Sequence, residues 1–163
     1  MSAWYENINQ AGRGAYWQDL QVGQKLRTFR RTITEPDLVN FISVTGMLET
    51  IFIDVNHVGA ISGRVVPAAL TYSLIEGFIF QNMIQGVGLA LLEVSMKAHA
   101  PVRVGDTVWA VVEVKDVCPS SKHNRAVLTS EVRVFNQNDE MVLSYAVKRL
   151  LAGDPSNSSA STT

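Results

Sequence analysis

Cysteine is nearly absent: Cys118 is the sole thiol in 163 residues. One thiol excludes an intrachain disulfide and the thiolate clusters of structural zinc sites. Its place just before Pro119-Ser120, near a strand end, suits a structural residue better than a nucleophile. Net charge is missing too, since 14 Lys and Arg nearly cancel 15 Asp and Glu. No field therefore draws the chain to nucleic acid or anionic lipid, and a neutral or amphiphilic small molecule or another protein is the expected partner. No apolar run reaches the roughly 18 residues that a membrane-spanning helix needs. The opening MSAWYENINQ lacks the basic start and apolar core of a secretory signal, so the expectation is a soluble, cytoplasmic protein. The 3 histidines lie far apart without a ligand-like acidic neighbour, which argues against a metal site. No glycine-rich phosphate loop follows a strand, and no cofactor is implied.

Apolar residues are plentiful, at 47% of the chain, enough for one domain with a sizeable core. Residues 1–15 are polar and read as an arm that packs loosely or on a partner. From Gly153 the tail GDPSNSSASTT has too few apolar groups to offset its ordering entropy and is expected to be disordered. Between them, QKLRTFRRTIT (24–34) predicts a first strand. Thr34 then offers an N-cap, Pro36 a first-turn residue and Asp37 a capping partner, predicting a short helix that stops at Gly46. PAALTYSLIEGFIFQNMIQ (67–85) predicts a long helix with little charge, buried on most sides. Beyond it the period changes to two. One strand runs to about His99 and another from Thr107 to about Val117. RAVLTSEVRVF places Ala126, Leu128, Ser130, Val132 and Val134 on one face, and NQNDE turns the chain into MVLSYAVKRLLA. This is an α+β domain in which an antiparallel sheet curls round one helix.

YWQDLQVGQKL, RTITEPDLVNFISVTG, GRVVPAALTYSLIEG and HAPVRVGDTVWAVVEV together resemble the MaoC-like hydratase/dehydratase branch of the hotdog-fold proteins, from about Tyr16 to Ala152. The resemblance implies a hotdog fold, an acyl-CoA or other acyl-thioester ligand, and a homodimer or higher homo-oligomer with grooves at its interface. Hydratases of that family carry Gly-Asp-x-Asn-Pro-(Ile/Leu)-His-x-Asp, whose first aspartate and histidine activate water for addition to an enoyl thioester. Here Gly46 keeps the glycine, Ile51 the aliphatic residue and Asp54 the last aspartate. Met47 stands for the catalytic aspartate, Glu49 for asparagine, Thr50 for proline and Phe52 for the catalytic histidine. The family's histidine-glycine at the central helix, whose glycine amide receives the thioester carbonyl, is Pro67-Ala68 here. An amide at Ala68 can still do this, because a helix N-terminus presents unpaired N–H groups.

Several candidates follow. Glu49, among Met47, Leu48, Ile51 and Phe52, is expected to be partly desolvated and suited to moving a proton, or else to be a solvent-facing turn residue. Asp54 is a second catalytic candidate, with capping of a short helix over VNHVGA as its structural alternative. Met47, Phe52 and Ala68 would line the substrate. His99 would face an acyl tunnel or simply bond within the sheet. Arg64 or Lys122 would meet coenzyme A phosphates, or be plain exposed cations, and His57 and His123 read as surface residues. Three functions compete: an acyl-thioester hydratase or dehydratase with an altered acid–base set, a thioesterase, and a non-catalytic acyl-binding or partner subunit.

Overall fold

The computed structural model describes residues 12–160. The first eleven residues of the expected arm lie outside that range, and so do the last three of the tail. The described part of the arm is tied down: Gly14 N–H donates to Gln85 O at 2.8 Å and Ala15 N–H to Met83 O at 2.9 Å. The early strand is two short ones, β1 (Lys25–Arg27) and β2 (Arg31–Thr32). Both pair with the same later strand, β4 (Thr107–Pro119). The break falls where Thr28 Oγ1 accepts from Ala110 N–H and Phe29 turns its ring onto Phe78, 4.4 Å between centroids.

Helix α1 (Glu35–Thr45) begins as its sequence requires. Asp37 Oδ2 accepts from the Thr34 N–H at 2.8 Å and from its hydroxyl at 2.7 Å, and Asp37 Oδ1 takes Arg31 at 2.5 Å. Burial alone would raise the Asp37 carboxyl, but the Thr34 bonds and the Arg31 charge outweigh it and hold it below the usual range. Gly46 ends the helix at φ +71°, a left-handed conformation that costs glycine nothing. A one-turn helix, α2 (Thr50–Ile53), follows.

The central helix α3 runs Ala68–Asn82, with Pro67 as its N-cap. It is shorter at both ends than its apolar pattern suggested, since Gly86 takes a positive φ just beyond it. Strands β3 (Gly88–Ala98), β4, β5 (Arg125–Phe135) and β6 (Met141–Ala152) complete a sheet in the order β1-β4-β5-β6-β3, all antiparallel. The alternation in β5 comes out as read, with Ala126, Leu128, Ser130, Val132 and Val134 all buried. Leu70, Ile75, Phe78 and Ile79 of α3 share one core with Val112, Val132, Val134 and Val147 of the sheet. Each such side chain contributes about 1.5–3 kcal/mol by leaving water. The tail begins with structure where disorder was expected: Gly153 N–H donates to Asn124 O, and a 3-10 helix spans Pro155–Ala160.

Strand β3 is an edge strand, exposed along its full length. Leu89, Leu91, Leu92 and Met96 are each about half exposed there. A long apolar edge with free backbone groups is what soluble domains normally cover or pair.

Candidate active site at the start of the central helix

The chain between α2 and α3 is held from three sides. Val65 N–H donates to Ile51 O in α2, and Val66 N–H to Val102 O in the turn before β4. The Arg103 guanidinium donates to the carbonyls of Ser62 and Arg64. These bonds fix Pro67, whose φ of −54° leads directly into the helix. Leu70 and Thr71 N–H both point back to Pro67 O. Ala68 and Ala69 come before that ladder, so their amides have no acceptor inside the helix and carry the positive end of its dipole.

Two hollows meet here, sharing Phe52 and Ala68. The outer one, about 490 Å³, is lined by Met47, Leu48, Glu49, Phe52 and Pro67-Ala68. The inner one, about 310 Å³, runs under the loop between Phe52, Ala68, Thr71, His99 and Leu143. Its walls are apolar apart from two groups. Thr71 Oγ1 is buried and has no hydrogen-bond partner. His99 Nε2 is 2.7 Å from Ser144 Oγ, so the histidine is both bonded in the sheet and part of the cavity wall. An unpaired buried hydroxyl costs about 1–3 kcal/mol, which a ligand oxygen can recover.

Sequence-derived candidates fall into two sets. Glu49, Met47, Phe52, Ala68 and His99 come together around the two hollows. Asp54 and Arg64 line neither of them. Asp54 ends α2, and its Oδ1 accepts from Asn56 N–H at 2.8 Å. The segment VNHVGA that it was expected to cap is a turn rather than a helix; its Gly59 and Ala60 are exposed and bring no apolar stripe to the core. Arg64 is paired with Glu35 of α1. Lys122 lies in the β4–β5 loop beside Ser120, and His123 in the same loop takes a φ of +67°. Cys118 is exposed and donates to Asp116, whose hydrogen bond and charge push the thiol up.

The expected desolvation of Glu49 is not found within one protomer. Met47 and Leu48 are 38% and 65% exposed and do not wall the carboxylate in. Glu49 is itself exposed and N-caps α2, accepting from Thr50 N–H at 3.0 Å. A one-turn helix leaves most of its amides unpaired, so a carboxylate at that position has a structural use as well.

Sequence reasoning missed two polar groups. Thr71 was hidden because a threonine in an apolar helix resembles a core residue. The other is a buried cluster. Arg149 Nη2 donates to both oxygens of Glu76, at 2.5 and 2.7 Å, and Tyr145 O–H donates to Glu76 at 2.7 Å. Tyr72 meets Tyr145 edge-on at 5.0 Å. Burial, then the Glu76 charge, raises both phenols, Tyr145 strongly. A glutamate in the middle of an otherwise uncharged helix was the signal that a partner lay across the core.

A curved antiparallel sheet around one helix, with a ligand-sized hollow at the helix start, defines a hotdog domain of the MaoC-like hydratase/dehydratase kind. Residues 20–145 match the FAS1-like dehydratase domain region, and the chain belongs to that family. It is 29% identical over 134 residues to a 3-hydroxybutyryl-CoA dehydratase of Methylorubrum extorquens, covering 80% of each chain. To an (R)-specific enoyl-CoA hydratase of Rhodospirillum rubrum it is 28% identical over 109 residues, 66% of this chain and 74% of the other. Among solved structures, a monoamine oxidase regulatory protein of Archaeoglobus superposes with a TM-score of 0.78 at 25% identity, over 88% of this chain and 97% of that one. No helix among the described residues is long and apolar enough to cross a membrane.

Proposed function

We propose that this protein is an acyl-CoA hydratase or dehydratase with an atypical acid–base set. The observation that carries the reading is the apolar hollow at the start of α3, with Thr71, whose buried hydroxyl is unpaired, in its wall and a carboxylate at its mouth. The thioester carbonyl lies on the Ala68 end of the helix, where free amides stabilise the negative oxygen that develops during addition. Phe52 and Met47 flank the acyl group, and Thr71 donates to an oxygen of the substrate. Glu49 takes a proton from water while the hydroxide oxygen bonds to the β-carbon. The electron pair of the double bond moves toward the carbonyl oxygen. Glu49 then returns its proton to the α-carbon, so water is added with no net change at the enzyme. His99 lies within the same hollow and orients substrate through its bond to Ser144.

Two copies pairing through their β3 edges would cover the exposed leucines and deepen the groove beside Glu49, supplying the desolvation that one protomer lacks. The protein would work as such a dimer in the cytoplasm. The test is loss of conjugated-thioester absorbance with crotonyl-CoA, wild type beside Glu49→Gln. Equal rates for the two remove Glu49 from the mechanism.

A second reading is favoured by one observation: both proton-handling positions of the family signature, 47 and 52, are apolar, and Glu49 is already engaged as a cap. On that reading the chain binds an acyl thioester without converting it, alone or as a partner subunit. Tight binding of saturated acyl-CoA with no turnover of any enoyl-CoA would support it. Release of free thiol would identify a thioesterase instead.

A further inference from the structure

The mouth of the hollow at the start of α3 has an apolar wall that stands in water. Met47 and Leu48 line it, and Leu48 is 65% exposed. Beside them is Glu49, the one carboxylate among the residues lining either hollow. A scattered surface leucine is ordinary. An exposed leucine at the rim of an apolar, ligand-sized cavity has something to meet when that cavity fills.

Residues 47–49 form a strap between a pivot and an anchor. The pivot is Gly46, at φ +71°, where an added Cβ would meet nothing within 4 Å, so no packing holds it. The anchor is α2: Phe52 packs against the core, and Ile51 O accepts from Val65 N–H at 3.1 Å. The strap itself is bonded to its neighbours. Leu48 N–H donates to Gly46 O at 2.8 Å, Phe52 N–H to Glu49 O at 2.8 Å, and Thr50 N–H to the Glu49 carboxylate at 3.0 Å. Among the described residues, no hydrogen bond or ion pair joins 47–49 to anything beyond position 52. A turn tied in this way belongs to the low-stability end of a structure, and it can rotate without breaking the sheet or α3.

We propose that Leu48 determines acyl specificity through a closing step of this strap. The inference rests on the acyl-thioester reading above and names the substrate class of that site. In the free protein the strap faces outward and Glu49 caps α2. An acyl chain that extends past the reacting carbons offers Leu48 an apolar surface in the hollow. The strap then turns inward, Leu48 seats on the chain, and Glu49 leaves both the water and the Thr50 amide. A ligand shifts such an equilibrium only through contacts that one state alone makes, and the buried Leu48 contact is that difference. An acyl group too short to reach Leu48 leaves the strap open and Glu49 hydrated. The favoured substrates are therefore thioesters with an apolar chain beyond the β-carbon.

The experiment follows binding, so that it does not depend on turnover. Leu48→Cys in a Cys118→Ser background puts one thiol on the strap, since Cys118 is the sole native thiol and is exposed. Its alkylation by iodoacetamide is timed in the full chain, free and with hexanoyl-CoA, a saturated thioester that cannot be hydrated. Labelling of the free protein should be fast. At ligand about 100 times Kd it should slow about 100-fold, because the unliganded fraction alone then reacts, whereas acetyl-CoA should leave it fast. Slow labelling without ligand, the result if a second copy covers the strap, overturns the inference, and so does labelling that bound hexanoyl-CoA leaves unchanged. Closure has its own signature in the wild type: the Thr50 amide, released by Glu49, should exchange with solvent faster in the hexanoyl-CoA complex. Slower labelling with unchanged Thr50 exchange overturns the closing step. Leu48→Ser should keep its unfolding stability and bind hexanoyl-CoA about tenfold more weakly, with acetyl-CoA affinity unchanged. Equal weakening for both ligands removes Leu48 from the acyl group and leaves the acyl-thioester reading standing. No binding of either ligand to the wild type overturns both.

Discussion

The start and the middle of α3 treat charge in opposite ways. Beside the start of α3, the proposed site presents Met47 and Phe52, and the carboxylate that lines it, Glu49, stands in solvent. Half-way along the same helix, where a hydrophobic core would suffice, it buries an arginine, a glutamate and a tyrosine hydroxyl in mutual contact. The fold is indifferent to this exchange, because α3 and the sheet need only apolar area on the faces that meet. Chemistry and recognition are not indifferent. A reaction centre needs groups that can change protonation state, while a paired, desolvated cluster holds its protons and positions donors.

The sharpest way to break the contrast is to put the family's groups back. Met47→Asp/Phe52→His should raise hydration of crotonyl-CoA by about 10²–10⁴-fold over wild type, the usual contribution of positioned acid–base groups. No gain in a folded variant would mean that the loop from Gly46 to Asp54 no longer aims at a substrate. Next in size is the buried cluster. Arg149→Met alone strands Glu76 in the core and should cost about 3–5 kcal/mol in denaturant unfolding, most of it recovered when Glu76→Gln is added. If the single variant is as stable as wild type, the cluster is wetter than its burial implies.

A smaller effect with a diagnostic sign is expected at Thr71. Thr71→Val keeps the shape and removes an unpaired hydroxyl, so it should raise unfolding stability by about 1 kcal/mol while weakening acyl-CoA binding. Stability and affinity moving the same way would remove Thr71 from the site. The smallest belongs to the α1 cap. Thr34→Ala should cost about 1 kcal/mol. Because the Asp37 carboxyl is held below its ordinary 3.8, the stability it adds is complete above that pH and is lost as the pH falls further, through its folded value. Thermal melts of wild type and Asp37→Asn should therefore differ at neutral pH and converge in acid.

Local rules were legible wherever one short stretch carried them. The Thr34–Asp37 cap, the stop at Gly46, the two-residue period of β5 and the turn at 136–140 all follow from neighbours in sequence. The proposed substitutions at 47 and 52 rest on a motif laid on the chain, and the Met47→Asp/Phe52→His variant tests them. Glu49 shows where this kind of reading fails. Apolar neighbours in sequence implied a desolvated carboxylate, but Met47 and Leu48 turn outward and leave it in water. Asp54 fails for a related reason: its partner is the amide two residues on, so it closes a turn where a helix was expected.

What lies within a dozen residues could be reasoned from the chain alone: caps, turns, strand period and, from several such stretches together, the family. Strand pairing brought the rest into being. Arg149 and Glu76 are 73 positions apart and His99 and Ser144 45 apart, and no periodicity joins them. Burial then makes them matter, because a donor left unpaired is cheap in water and costly once the sheet closes over the helix.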